Sequence, residues 1–151
     1  MGVDWRWWRV PPPRSHPPHF PPTACGRSIL LIKAEGTWSL GVRAGDFVFV
    51  AGMQGVDPAT NKLVEGAEAR IRQAFLNIRL IAQSEGASLQ DCVRLTIYVS
   101  DLATIAPLVD KVQAELWGKP PYQPRTMFEA KKLFDGDIIE IDSVFYAPLK
   151  K

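Results

Sequence analysis

Two side chains stand out for chemistry, Arg125 and Glu140, fifteen positions apart in the 151-residue chain. Arg125 follows a proline directly in the run Tyr122-Gln123-Pro124-Arg125-Thr126 and opens an extended segment. The proline fixes the start of that segment, so the arginine is held at a defined point on a sheet's rim. Its guanidinium is a flat, permanently charged fork that matches a carboxylate bidentately. Glu140 lies among Ile138, Ile139 and Ile141 in an otherwise apolar strand pattern. Carboxylates are seldom buried without a partner. One placed there could orient a water or move a proton, with its pKa set by burial and by a neighbouring cation. Pattern alone leaves a plainer reading open for each. Arg125 could simply pair with a surface acid. Glu140 could face solvent on an edge strand, and Asp142 beside it points to a partly wet face.

Other hydrolytic mechanisms find little support. Both histidines, His16 and His19, fall in the first 24 residues. Ser39, Ser100, Ser143 and the threonines therefore have no histidine partner in the body, and no lysine pairing is evident from spacing. Ser-His-Asp and Cys-His catalysis drop out, and no imidazole is left for a zinc or non-haem iron site. The two cysteines, Cys25 and Cys92, form no CxxC pair, a pattern that fits a reducing cytoplasm. Cys92 sits in an apolar strand pattern and reads as a small core residue. The net charge of +2 comes entirely from Arg6, Arg9 and Arg14 against Asp4. A neutral body argues against nucleic-acid binding driven by charge, although local basic patches stay open.

These residues must be carried by a frame. The length suggests one domain, residues 25–151, behind an N-terminal extension, residues 1–24. That extension holds seven prolines and three of the five tryptophans. It is expected to be poorly ordered, or an over-called start; a Pro-rich ligand for an aromatic groove is the alternative. It has no apolar signal-peptide core, and no stretch of the chain is long enough to span a membrane. In the body, residues 28–33 (SILLIK) read as a strand, 34–45 as a glycine-rich connection and 46–53 as a buried strand. Asp57-Pro58 and Asn61-Lys62 supply turn chemistry. Residues 64–86 read as a helix, with Ile71, Phe75, Ile78 and Ala82 on one face and Gly86 as its C-terminal cap. Residues 91–99 alternate, with Val93, Leu95, Ile97 and Val99 on one side. Residues 101–117 form a second amphipathic helix. Residues 126–131 and 137–147 complete a β-β-α-β-α-β-β order. Two helices cover one face of a mixed sheet, an α+β fold. The strand at 46–53 is apolar on both faces, through Val48 and Val50 on one and Phe47 and Phe49 on the other. A layer from another subunit is the simplest cover, so a homo-oligomer is expected.

The combination of Gln123-Pro124-Arg125-Thr126 with Ile138-Ile139-Glu140-Ile141 resembles the C-terminal signature of the Rid (YjgF-type) family. Residues 46–58 (DFVFVAGMQGVDP) look like that family's early strand and turn. Gly36-Thr37-Trp38-Ser39 sits where the family usually has Gly-Pro-Tyr-Ser. The likeness runs from about residue 29 to residue 147 and excludes the extension. It implies a chorismate-mutase-like fold and a homotrimer with clefts between subunits. It also implies cofactor-free hydrolysis of reactive enamine and imine carboxylates to 2-keto acids and ammonia in the cytoplasm, with no metal. By resemblance Arg125 binds the substrate carboxylate and Glu140 positions water. Trp38, Ala51, Gly52 and Met127 take substrate-binding positions. The sequence departs from the 2-aminoacrylate-type members at Trp38 for tyrosine, Ala51 for serine, Met53 for glutamine and Met127 for cysteine. Each change makes the pocket less polar, which favours a larger or more apolar unsaturated substrate; 2-aminomuconate deaminases belong to the wider family. A non-catalytic, small-carboxylate-binding trimer is the reading from another class. Ribonuclease activity, also attached to parts of the family, is disfavoured by the neutral body and its lack of histidine.

Overall fold

The computed structural model describes residues 23–24 and 36–149. The strand expected at residues 28–33 and residues 1–22 of the extension lie outside that set. The strands are β1 (Thr23–Ala24), β2 (Gly41–Ala44), β3 (Phe47–Gln54), β4 (Val56–Asp57), β5 (Lys62–Leu63), β6 (Cys92–Val99), β7 (Arg125–Glu129) and β8 (Ile139–Tyr146). The helices are α1 (Ala67–Ser84) and α2 (Leu102–Trp117). Six strands form one sheet in the order β1-β2-β3-β8-β6-β7, while β4 and β5 make a separate small hairpin. Among the described strands only β6 and β7 run parallel, as a strand-helix-strand crossover through α2 requires; the other pairs are antiparallel. The fold is the expected α+β arrangement of two helices on a mixed sheet.

The periodic residues drive the packing. Ile71, Phe75, Ile78 and Ala82 of α1 are fully buried, and Phe75 meets Trp117 of α2 edge-on at 5.5 Å between ring centroids. Val48, Leu95, Ile97, Val99, Ile139, Ile141 and Phe145 supply the opposing layer from the sheet. Burying each such side chain contributes roughly 1.5–3 kcal/mol, which makes this layer the main source of stability. Both helices stop where a glycine supplies a left-handed conformation, Gly86 after α1 and Gly118 after α2. Asp101 caps the start of α2 by accepting a hydrogen bond from the Thr104 N–H at 3.0 Å.

Four local readings need correction. Residues 34–45 are not all connection, because Gly41–Ala44 is β2, joined to β3 by the two-residue turn Gly45-Asp46. A four-residue strand is too short to show a period. Residues 57–62 are more than a turn, since Val56–Asp57 pairs with Lys62–Leu63. The first helix begins at Ala67 rather than near residue 64, since Gly66 holds φ 84° just before it. Val93 does not join Leu95 in the core. The β6–β8 register shifts between Cys92 and Arg94, which turns Cys92 inward and leaves Val93 40% exposed.

The outer face of the sheet, opposite the helices, carries large apolar side chains as expected. Phe47 and Tyr146 pack together there, as do Tyr98 and Phe128. Phe47, Phe49, Phe128 and Tyr146 are each more than 40% exposed.

Candidate active site

The site grows from an irregularity in β3. Val50 pairs with Ser143 and Met53 with Ile141, so Ala51 and Gly52 face a single residue of β8, Asp142. This bulge bends the strand and brings the Gly52 backbone close to the next outward side chain of β8, Glu140. A Cβ at Gly52 would lie 2.1 Å from Glu140 Oε1, so only glycine admits the carboxyl there. The Ala51 N–H is tied to the Leu40 carbonyl at 2.9 Å, which fixes the far side of the bulge.

Glu140, Trp38, Ala51, Gly52 and Met53 line one cavity of about 510 Å³. Among the described residues Glu140 has no hydrogen bond or ion pair. Burial raises its pKa above the ordinary carboxylate value, and the charges of Asp142 and then Asp137 push the same way. Burial likewise raises Asp142. Asp137 is raised by burial too, although its carboxylate accepts hydrogen bonds from the Ile138 and Gly55 N–H groups and faces Arg70 at 3.7 Å. The arrangement is a half-buried carboxyl at a cavity wall, with its pKa raised by that burial. It is suited to holding a water and exchanging a proton with it.

Arg125 is elsewhere in the chain. It opens β7, as its proline predicted, but it pairs with Leu95, a core-facing residue of β6. Its side chain therefore lies on the helix face, where Nη1 donates to Gln113 Oε1 at 2.7 Å and Nη2 meets Asp110 Oδ1 at 2.7 Å. Glu140 pairs with Tyr98 and points to the other face. Strand β6 separates the two, with two strand spacings across and three residues along, or about 14 Å between their Cα atoms. Met127 pairs with Ile97, also on the helix face, and packs against the core. Of the predicted site residues, Trp38, Ala51, Gly52 and Glu140 come together; Arg125 and Met127 do not join them within one chain. A small substrate cannot touch both Arg125 and Glu140 of the same chain.

Several cavity residues escaped sequence reasoning. Asn77, on α1, is 2% exposed and donates to the Gln54 and Val56 carbonyls at 2.9 and 2.8 Å, pinning the end of β3 to the helix. A polar residue inside an apolar helical face was the available signal. Gln54 in turn donates to the Phe134 carbonyl at 2.8 Å. Phe134 and Asp135 sit in a single 3-10 turn, Phe134–Gly136, whose Asp135 has φ 51°. Among the described residues no group of three or more His, Cys, Asp or Glu side chains could hold a metal ion. Cys92 is buried, with its thiol pushed up to about 12 by desolvation, and reads as inert packing.

Residues 29–146 match the sequence model of a family described as Endoribonuclease L-PSP. A solved structure of a probable translation initiation inhibitor from Rhodopseudomonas palustris is 48% identical, with a TM-score of 0.82, and covers 85% of this chain and 99% of its own. RidA from an Antarctic Psychrobacter is 32% identical at a TM-score of 0.72, covering 80% and 99% respectively. The 2-iminobutanoate/2-iminopropanoate deaminase of Salmonella typhimurium is 34% identical over 112 residues, which is 74% of this chain and 88% of that protein.

Proposed function

The chain belongs to the endoribonuclease L-PSP family, which is the Rid family its motifs resembled, and from that premise we propose that it is a cofactor-independent imine/enamine deaminase. The observation that carries the reading is the unpaired, half-buried Glu140 carboxyl lodged over the Gly52 backbone in the cavity wall. The enamine of a 2-amino acid tautomerises to an imine, whose C2 is already electrophilic. Water adds its oxygen to C2, the C–N bond breaks, and the water protons leave with ammonia, giving a 2-keto acid. Glu140 takes a proton from the attacking water and returns one to the departing nitrogen. No covalent intermediate is needed; proximity and a placed carboxyl suffice.

Arg125 holds the substrate carboxylate in this reading, and it does so from a neighbouring copy of the chain. Its position on the opposite face from Glu140 supports a cleft between subunits of a homotrimer. The exposed Phe47, Phe49 and Tyr146 give the outer face something to bury in such an assembly. The lining, with Trp38, Ala51 and Met53, favours a substrate less polar than 2-aminoacrylate, and 2-aminomuconate remains within the class.

The test generates 2-iminopropanoate in situ and follows its loss with and without protein. The parent accelerates it. Arg125→Ala raises KM steeply and Glu140→Gln lowers kcat by roughly 10²–10⁴-fold. An Arg125→Ala protein as active as the parent overturns the reading.

A further inference from the structure

We infer that Phe134, together with Trp38, forms an aromatic mouth that selects imines with flat, aromatic or conjugated side chains. The inference rests on the deaminase reading of the Glu140 cavity and names the substrate class within it. Both rings belong to the lining of that cavity, yet Trp38 is 49% and Phe134 66% exposed. Phe134 is not loosely hung. Leu133 before it is 8% exposed and Asp137 beyond it is 2% exposed, so the short turn is anchored at both ends. Gln54 holds the Phe134 carbonyl, and Gln54 is the residue of β3 that pairs with Glu140. The turn is thereby indexed to the carboxyl.

The chemical setting of Phe134 is otherwise polar. Lys131, Lys132, Asp135 and Gly136 surround it in sequence, and all are exposed. A lone phenyl fixed on such a turn shares the cavity lining with the Trp38 indole, so a planar group has two rings on which to stack. Ring pairs prefer offset or edge-on contacts with centroids about 4.5–7 Å apart, contacts that a flat substrate side chain can make with either ring. A methyl group has no flat face to offer either ring. The same cavity wall adds Met53 and Ala51, which make no demand for hydrogen bonds from the substrate side chain.

The experiment uses the full chain and two imines made in situ by an amino-acid oxidase, one from phenylalanine and one from alanine. The readout is the ratio of their kcat/KM values. The parent is expected to favour the phenylalanine imine. Phe134→Ala should lower kcat/KM for that imine about three- to ten-fold more than for the alanine imine, the range expected of one ring contact. Phe134→Leu, which keeps apolar bulk but loses the flat face, should shift the ratio in the same direction. Phe134→Tyr should preserve it. An unchanged ratio in Phe134→Ala and Phe134→Leu overturns the inference and leaves the deaminase reading standing. Equal loss on both imines, with a changed elution volume on size exclusion, also overturns it, because Phe134 would then serve only to pack against a second copy. No acceleration of either imine by the parent overturns the deaminase reading itself.

Discussion

At the scale of single residues, Glu140 joins chemistry to a stability cost. Its folded carboxyl binds a proton more tightly than the unfolded one, since burial and the neighbouring acids disfavour its charge. A raised carboxyl pKa adds stability below the unfolded value, near 4.5, and that stability is lost as pH rises through the folded value. At neutral pH the ionised group is therefore a burden on the fold. Glu140→Gln should unfold at higher urea concentration than the parent at pH 7, and the difference should shrink towards zero near pH 4. Equal shifts at both pH values would argue against a buried charge. Gly52 bears the complementary constraint. Gly52→Ala places a methyl where the Glu140 carboxyl sits. It should lower kcat by roughly 10²-fold or more, through displacement of that carboxyl, while circular dichroism stays like that of the parent. The sequence pointed to Glu140 because an acid among isoleucines is conspicuous. It gave no hint that Gly52 lies beneath it, because that contact depends on a bulge between two strands eighty-odd residues apart.

At the scale of elements, what could be read and what could not divides by range. Helices α1 and α2 were legible because a period of 3.6 over sixteen or more residues is set by local sequence alone. Strand β8 was legible as the mostly apolar run at residues 137–147, again a local signal. Strand β2 was hidden by its four-residue length. Strand order keeps Arg125 and Glu140 apart within one chain: fifteen residues apart in sequence, they lie on β7 and β8, and β6 inserts between those strands. Sequence spacing carries no information about such an insertion. Asn77 shows how elements then locate the site. It ties α1 to the carbonyls of Gln54 and Val56 where β3 leaves the sheet. Asn77→Ala strands two carbonyls and should cost about 1–3 kcal/mol in denaturant unfolding. It should also lower kcat for imine hydrolysis by more than it raises KM, since the end of β3 pairs with Glu140 through Gln54 and lies away from the carboxylate clamp. A stability loss with unchanged kcat would make Asn77 a structural strut alone.

At the scale of the whole molecule, the arrangement of charges argues for a site shared between chains. Within one copy, Arg125 leans onto α2, with Asp110 and Gln113 as its partners, whereas Glu140 opens to the outer cavity. The guanidinium retains N–H donors beyond those two contacts, so it can still receive a carboxylate from outside the chain. If the clamp of one subunit meets the carboxyl of the next, Arg125→Ala and Glu140→Gln damage different walls of the same cleft. Each variant alone should hydrolyse 2-iminopropanoate far more slowly than the parent at substrate concentrations below the parent's KM. Unfolded together in equal amounts and refolded, they should assemble mixed trimers in which about a quarter of the clefts hold an intact Arg125 and an intact Glu140. Activity should then return to about a quarter of the parent value. If both residues of a site came from one chain, every cleft would carry one defect and mixing would restore nothing. The outcome also separates catalysis from mere carboxylate binding. A trimer that only held small carboxylates would bind normally after loss of Glu140, with no hydrolysis to recover.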